Sequence, residues 1–247
     1  MILTLSNPGF KNAISPEMYA AGTEALNALE TNASIRSVII TGEGAAFCAG
    51  GNLQRLLNNR LQDKNVQAQS IDGLHSWIEA IRTYPKPVIA AVEGAAAGAG
   101  FSLALACDFC VAADNAIFVM SYSTVGLSPD GGASWALSRS LPRQLANQIM
   151  MCGDRISAQR LHELGLVNQV CASGSALQEA LALAEKLNAR AGNALGSIKE
   201  LVNDAASNTF SQHLKQEKGH FVENLHHANA AEGIRAFLEK RPPIYKP

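Results

Sequence analysis

Two glycine-rich turns are the segments of this chain whose residue types and spacing suit chemistry. The first, residues 45–53, follows an apolar run and ends in paired glycines; the second, residues 94–102, follows another apolar run and opens a helical pattern. The first N–H groups of a helix have no intrahelical acceptor, and glycine lets a backbone approach a ligand closely. Side by side, two such turns would form an oxyanion hole, in which two N–H donors stabilise one developing negative oxygen.

Better-known glycine-rich motifs do not fit these turns. A phosphate-binding P-loop requires Gly-Lys-Ser/Thr after its glycines, and neither turn has that tripeptide. A dinucleotide fingerprint requires G-x-G-x-x-G, but Leu103 stands at the third glycine position after Gly98 and Gly100. A nucleophile elbow requires G-x-S-x-G, and Ser102 is followed by Ala104 where the second glycine should be. Close backbone packing without a ligand is the alternative interpretation of both turns.

Short apolar runs alternate with helical patterns along the first 190 residues, which predicts an α/β fold. Ser15 and Pro16 are typical N-cap and first-turn residues, so a helix is predicted to begin there and to end near Leu29. The polar, glutamine-rich stretch 58–71 is predicted to be a mobile loop of a length that often has a function. Strands are predicted at residues 2–5, 37–41, 87–92, 109–111 and 117–120, and further helices at residues 101–107, 142–151, 158–164 and 175–190.

The composition narrows the classes of protein that this chain can represent. Of its 247 residues, 47% are apolar and 17% charged, which is typical of a globular domain and not of a disordered chain. A net charge of −1 disfavours a basic groove for nucleic acid and a cationic membrane face. No apolar run is long enough to span a bilayer and no signal peptide is recognisable, so a cytoplasmic protein is expected. Because residues 2–5 already have a strand pattern, we expect a further strand upstream.

Five cysteines, an odd number in a chain without an export signal, are predicted to be reduced thiols. Cys107 and Cys110 form a C-x-x-C motif, which is compatible with redox or metal chemistry. However, no second pair and no nearby histidine completes such a site, and the surrounding sequence is apolar. We therefore predict structural core cysteines and no metal site.

The two turns belong to a set of sequence blocks that occur in a fixed order along the chain. They are Asn7-Pro8 with residues 11–14, residues 47–53, 85–100 and 105–108, Gly-Asp-Arg-Ile-Ser-Ala at 153–158, and residues 232–241. With them the chain resembles the crotonase family, the enoyl-CoA hydratase/isomerase superfamily. The resemblance implies a crotonase-like spiral of ββα repeats, assigned to residues 1–190, and a helical C-terminal trimerisation segment, assigned to residues 191–247. It also implies an acyl-CoA thioester substrate, a homotrimer or a dimer of trimers, and no separate cofactor, since CoA is part of the substrate.

The resemblance assigns roles to individual residues by their positions. The amides of Gly51 and Ala99 would be the two oxyanion donors, and alanine suits position 99 because only its N–H is used. Lys11, Ala13 and Ala49 would contact CoA.

Two further CoA contacts are implied near the C-terminus. Phe237 and Lys240, three residues apart on one predicted helix face, would reach the adenine and phosphates of CoA bound to a neighbouring subunit. A solvated surface charge is the alternative for Lys240.

The chain departs from a hydratase at two positions. Glutamates shared by family hydratases are replaced by Ser102 and Tyr122, neither of which is ionised at pH 7 by its reference pKa. Asp130, within residues 126–132, matches in position the acid of the isomerase and dehalogenase branches. The expected reaction is therefore isomerisation of an acyl-CoA double bond, with Asp130 shuttling a proton between two carbons.

Other interpretations of these residues stay open. Asp130 could attack the substrate covalently, or serve only as the turn residue of Pro-Asp-Gly. Ser102, Tyr122 or Asp130 could activate water in an unusual hydratase. The chain could also be an acyl-CoA-binding scaffold without turnover.

A narrower resemblance concerns the acyl group of the expected substrate. Residues 128–135 resemble the branch that isomerises ring-epoxide or unsaturated acyl-CoA intermediates in phenylacetate-type catabolism. His75, Trp77, Met120 and Trp135 are candidates for lining an acyl pocket that accepts aromatic groups, with ordinary packing or surface exposure as the alternative.

Overall fold

The computed structural model describes residues 1–246, which form two β-sheets and eleven α-helices. The larger sheet contains β1 (Ile2–Leu5), β2 (Val38–Gly42), β3 (Val88–Val92), β5 (Phe109–Ala113) and β8 (Gln169–Cys171), and the smaller contains β4 (Ala95–Ala97), β6 (Ile117–Val119) and β7 (Arg155–Ser157). The larger sheet is parallel, with the strand order β1-β2-β3-β5-β8, and the smaller has the order β4-β6-β7.

The helices cover the sheets and form the whole C-terminal part of the described chain. They are α1 (Pro16–Leu29), α2 (Leu53–Asn59), α3 (Lys64–Thr83), α4 (Ala99–Ala106), α5 (Ala133–Ser140), α6 (Arg143–Cys152), α7 (Ala158–Glu163), α8 (Ala176–Asn188), α9 (Gly192–Asp204), α10 (Phe210–His226) and α11 (Ala228–Leu238). Within residues 1–246, none of them combines the length and apolarity that a bilayer crossing requires.

The chain winds between the two sheets in a repeating unit. Strand β3 of the larger sheet leads to β4 of the smaller sheet and then to α4, and β5, β6 and α5 repeat this order. An earlier turn runs from β2 through Cys48, which forms a bridge to Ala96, and on to α2. The predicted α/β spiral of ββα turns is confirmed.

Burial on both faces explains the central strands. Every residue of β3, Val-Ile-Ala-Ala-Val, is buried, as expected for a parallel strand covered on both sides. Helix α1 begins and ends as predicted, and Ser15 Oγ accepts a hydrogen bond from Met18 N. Gly22 of α1 approaches α3 so closely that a Cβ atom would collide with the Trp77 ring. Trp77 therefore belongs to the core, as does the fully buried Met120, and neither lines an acyl pocket.

The prediction of a loop at residues 58–71 is wrong. Helix α2 continues to Asn59 and α3 begins at Lys64, so only residues 60–63 connect them. Asp63 caps α3 by accepting a hydrogen bond from Asn65 N (2.8 Å). The first half of α3 is largely exposed, and its buried face begins at Leu74. Residues 58–71 therefore lack the apolar periodicity by which a helix is recognised in a sequence.

A partly buried ion pair joins the C-terminal helices to the core. Lys199 of α9 lies 2.7 Å from Asp108, the residue before β5, and also donates to the carbonyl of Ile81 (2.9 Å). Burial raises the pKa of Asp108 and lowers that of Lys199. Helices α9–α11 also expose large apolar side chains such as Phe210 and Phe221. These exposed side chains suit the trimerisation role of residues 191–247, which stays a prediction.

All five cysteines are free thiols. Burial raises the pKa of Cys48 and of Cys110 to about 12 in each case, so both thiols stay protonated. Cys107 is half-buried, and its Sγ donates to the carbonyl of Leu103 (3.4 Å). Protonated, inward-facing thiols at the C-x-x-C motif agree with a structural role.

Candidate active site

Backbone hydrogen bonds hold the two glycine-rich turns side by side. Cys48 N donates to Ala95 O and Ala97 N donates to Cys48 O, both at 2.9 Å, so the first turn runs along β4 of the second. Gly51 and Ala99 follow within three residues of these bonds. The fold thus brings together two positions that are far apart in sequence.

Two glycines make this close approach possible. Gly50 has a φ of +86°, and a Cβ atom there would lie only 2.6 Å from Ala97 O. A Cβ atom on Gly100 would collide with Cys48 O. A larger residue at either position would push the turns apart.

The two amides that the sequence assigns to an oxyanion hole have no acceptor in the part of the chain that the structure describes. Ala99 is the first residue of α4, after the N-cap Gly98, where an N–H has no intrahelical partner. Within residues 1–246, neither the Gly51 amide nor the Ala99 amide donates to another protein group. Both residues line one cavity of about 470 Å³. Two N–H groups can bind the same oxygen atom only if they line the same cavity.

The segment predicted to contact CoA lies beside the first turn. Ala49 N donates to Lys11 O (3.0 Å), so Lys11 and Ala49 are neighbours across the two segments. Asn12 is fully buried, and its Nδ2 donates to the carbonyls of Glu43 and Ala46. Ala13 is buried and Lys11 is exposed. Of these three predicted CoA contacts, only Ala49 lines the cavity itself.

Asp130 lines the same cavity as Gly51 and Ala99 and is half-buried there. It ends the loop before α5, and the two following glycines have φ values of +63° and +79°. Ser102 Oγ donates to the backbone carbonyl of Asp130 (2.9 Å). A Cβ atom on Gly131 would lie 2.9 Å from Cβ of Ser102, so glycine is needed there for both its φ and its size.

Tyr122 holds the side chain of Asp130. Its hydroxyl donates to Asp130 Oδ1 at 2.5 Å, and the ring is buried beside Gly98. Burial, reinforced by the nearby Asp130 charge, raises the pKa of Tyr122 well above its usual value, so this hydroxyl stays protonated. The sequence presents Ser102 and Tyr122 as replacements of the hydratase glutamates and as possible activators of water. Their contacts with Asp130 were not predicted, although all three residues were assigned to the same site.

Phe237 and Lys240 are not brought to this cavity. Phe237 is on α11 and strongly exposed, while Lys240 lies beyond the end of that helix with a φ of +55°. The expectation that both share one helix face is therefore wrong, because α11 ends at Leu238 and the chain turns there. Their proposed contact with CoA on a neighbouring subunit stays a prediction.

The two remaining candidates for the acyl pocket, His75 and Trp135, lie at different places. His75 lines the cavity that contains Asp130. Trp135 lies outside it, between the guanidinium groups of Arg82 (4.5 Å from the ring centroid) and Arg139 (4.1 Å).

Free amides from two turns and one carboxylate thus meet in a single cavity of an α/β spiral. Such a site suits an enzyme that removes a proton next to a carbonyl group and stabilises the resulting oxyanion. The sequence profile described as "Enoyl-CoA hydratase/isomerase" matches residues 1–247. The chain belongs to the enoyl-CoA hydratase/isomerase family, whose members act on acyl-CoA substrates.

Among the individual relatives, one is named an isomerase and another is named a hydratase. The chain is 37% identical to "1,2-epoxyphenylacetyl-CoA isomerase" of Escherichia coli K12, over 99% of this chain and 94% of that protein. It is 34% identical to "2,3-dehydroadipyl-CoA hydratase" of the same strain, over 100% of this chain and 94% of that protein. Among solved structures, an enoyl-CoA hydratase from Polaromonas sp. JS666 is 73% identical, with a TM-score of 0.98, 99% of this chain covered and 95% of the other.

The contact between the two turns can be tested by Gly100→Ala. Alanine normally stabilises a helix relative to glycine, but here its Cβ would collide with Cys48 O. We expect a loss of about 1–3 kcal/mol in the free energy of unfolding and about a 100-fold lower kcat/KM on acyl-CoA substrates. The control is Gly219→Ala, whose Cβ meets no atom within 4 Å. Equal behaviour of the two variants in denaturant titrations and assays would show that the contact does not matter.

Proposed function

We propose that this protein is an acyl-CoA isomerase that moves a carbon–carbon double bond through a thioester enolate. The observation that carries the proposal is the cavity that Asp130 shares with the amides of Gly51 and Ala99, which have no acceptor among residues 1–246. The likeness to a relative named an isomerase supports the same reaction class.

The proposed reaction needs one carboxylate and one oxyanion hole. Asp130 removes a proton from the carbon next to the thioester or from the carbon beyond the double bond. The electron pair moves towards the thioester, and the charge on its oxygen is stabilised by the N–H groups of Gly51 and Ala99. Asp130 then returns the same proton to the other end of the three-carbon unit, so no atoms are gained or lost.

Tyr122 and Ser102 are proposed as positioning residues for Asp130. The Tyr122 hydroxyl occupies Oδ1, which leaves Oδ2 as the oxygen that accepts the substrate proton. Ser102 fixes the backbone of the same residue. Together they limit the rotation of a carboxylate that stands at the end of an otherwise exposed loop.

CoA is proposed to enter beside the first glycine-rich turn. Lys11, Ala13 and Ala49 would contact it from one subunit, and Phe237 and Lys240 would do so from a neighbour in a homotrimer or a dimer of trimers. The exposed apolar side chains of residues 191–247 support such an assembly. Five free thiols support a reducing, cytoplasmic location.

Asp130→Asn tests the proton shuttle. Asparagine keeps the shape of the side chain but is not a base, so isomerisation of an unsaturated acyl-CoA should fall about 100- to 10,000-fold. Exchange of the proton next to the thioester with solvent deuterium, followed by mass spectrometry, should fall equally, while the Kd for acyl-CoA stays within about twofold. Asp154→Asn, at an exposed position, is the matched control. Wild-type exchange in Asp130→Asn would remove Asp130 from the mechanism.

Tyr122→Phe tests the positioning of Asp130. Because the lost hydroxyl orients the base and is not assigned to substrate binding, kcat should fall about tenfold while the Kd of a non-reacting acyl-CoA is unchanged. The control is Tyr84→Phe, which removes the hydroxyl of another buried tyrosine, one with no hydrogen-bond partner among the described residues. An unchanged kcat in Tyr122→Phe, or an equal loss in Tyr84→Phe, would contradict the positioning role.

Hydration is the second candidate, because the second relative and the 73% identical structure are both named as hydratases. In that case Asp130 with Tyr122 would activate water by a set of groups that lacks both hydratase glutamates. Crotonyl-CoA separates the two reactions: addition of water abolishes its conjugated enoyl absorbance. We expect this absorbance to persist, and its rapid loss would favour the hydratase.

A further inference from the structure

An arginine that forms no ion pair among residues 1–246 lies in the wall of the active-site cavity. Arg55 is half-buried on α2, and its guanidinium shares a cavity with Gly51, Ala99 and Asp130. The proposed reaction does not use it, because the proton shuttle and the oxyanion donors are other residues. Most of its neighbours along the wall are apolar; they include Leu53, Leu56, Ile71, Leu74 and Val125.

Two hydroxyl groups hold the Arg55 side chain from one side. Its Nη1 donates to Ser70 Oγ (3.1 Å) and lies 3.4 Å from Tyr19 Oη. The two hydroxyls are themselves hydrogen-bonded at 2.5 Å. The guanidinium is thus fixed before any ligand binds, which reduces the entropy lost on binding.

The other edge of the guanidinium is unused. Among residues 1–246, Arg55 forms no ion pair, its Nε is buried without a hydrogen-bond partner, and its Nη2 makes no hydrogen bond. Because Nε is buried, Nη2 is the nitrogen that can donate to a ligand in the cavity, and a hydrogen bond from a guanidinium to a carboxylate is charge-assisted. A charged donor in a largely apolar wall is costly unless a ligand pairs with it.

The charged or titratable groups near Arg55 do not pair with its Nη2 among residues 1–246. Glu17 is close enough for its charge to interact with that of Arg55, but the two form no ion pair. Asp130 accepts from Tyr122, while Arg60 and His75, which also line the cavity, cannot supply a negative charge. Gly51 and Arg55 are four residues apart, so their Cα atoms lie within about 14 Å even in an extended chain. An anion at Arg55 would therefore be close enough to belong to the same acyl group as the carbonyl at Gly51.

We propose that Arg55, held by Tyr19 and Ser70, binds a carboxylate at the far end of the acyl chain. The preferred substrates are then CoA monothioesters of dicarboxylic acids of short to medium length. This proposal rests on the proposed function, because it takes the carbonyl at Gly51 and Ala99 as the other end of the ligand. It adds a specificity residue that the reaction itself does not require.

Binding of saturated ligands, which cannot react, provides the test. Adipoyl-CoA and hexanoyl-CoA have six-carbon acyl chains and differ in the terminal carboxylate, and calorimetry gives a Kd for each with the full chain. We expect wild-type protein to bind adipoyl-CoA about 10- to 100-fold more tightly. Arg55→Met should abolish that preference and leave the Kd of hexanoyl-CoA within about twofold. Arg55→Lys should retain part of it, because the charge remains but the planar guanidinium held by Tyr19 and Ser70 is lost.

The controls separate this proposal from its alternatives. Arg143→Met, at an exposed position of α6, should keep the wild-type preference, and thermal unfolding of each variant reports on folding. If Arg55 instead binds a phosphate of CoA, Arg55→Met would weaken both ligands equally, and the corresponding pantetheine thioesters, which lack those phosphates, would show no loss. That result, or a wild-type protein without preference, would overturn the proposal while leaving the isomerase intact. Failure of both CoA esters to bind would instead remove the proposed function.

Discussion

The contact between two main-chain turns is the constraint on which the rest of the structure depends. Cys48 pairs with both ends of β4, and Gly50 and Gly100 remove the side chains that would keep the turns apart. The amides of Gly51 and Ala99, which follow this pairing, have no acceptor among the described residues, and the Ala99 amide stands at the start of α4. Backbone donors held by a sheet and a helix need no reorganisation when charge develops, which is the condition for electrostatic catalysis.

The charged groups of the cavity are arranged around that contact. Asp130 comes from a loop, yet two side chains from other elements fix its carboxylate and its backbone. Arg55 stands on the helix that follows the first turn, also held by two hydroxyls. With the proposed roles, a base beside the oxyanion hole and a cation within reach of it would divide the cavity into a part for chemistry and a part for recognition.

The α/β class and the two turns could be predicted because their signals are local, whereas the spiral was implied by the family resemblance. Strand β3 is a continuous apolar run between polar neighbours, and Ser15 with Pro16 is a cap signal that needs no tertiary information. The first half of α3 had no such signal, because a helix that is exposed along much of its length has no apolar periodicity to recognise. The prediction that Phe237 and Lys240 share one face of a helix was wrong for a related reason. A helix terminus is set by one backbone conformation, which the side-chain pattern does not show.

By itself, the sequence determined the family and the α/β spiral, and it predicted which residues would supply the amides and the carboxylate. These follow from residue types in a fixed order, which a chain carries whether or not it is folded. Only the tertiary structure decided that Tyr122 and Ser102 hold Asp130, and that Arg55 lines the same cavity and forms no ion pair among residues 1–246. Those relations depend on distances between atoms of separate elements. Such distances are set by packing of the whole chain and not by any local spacing.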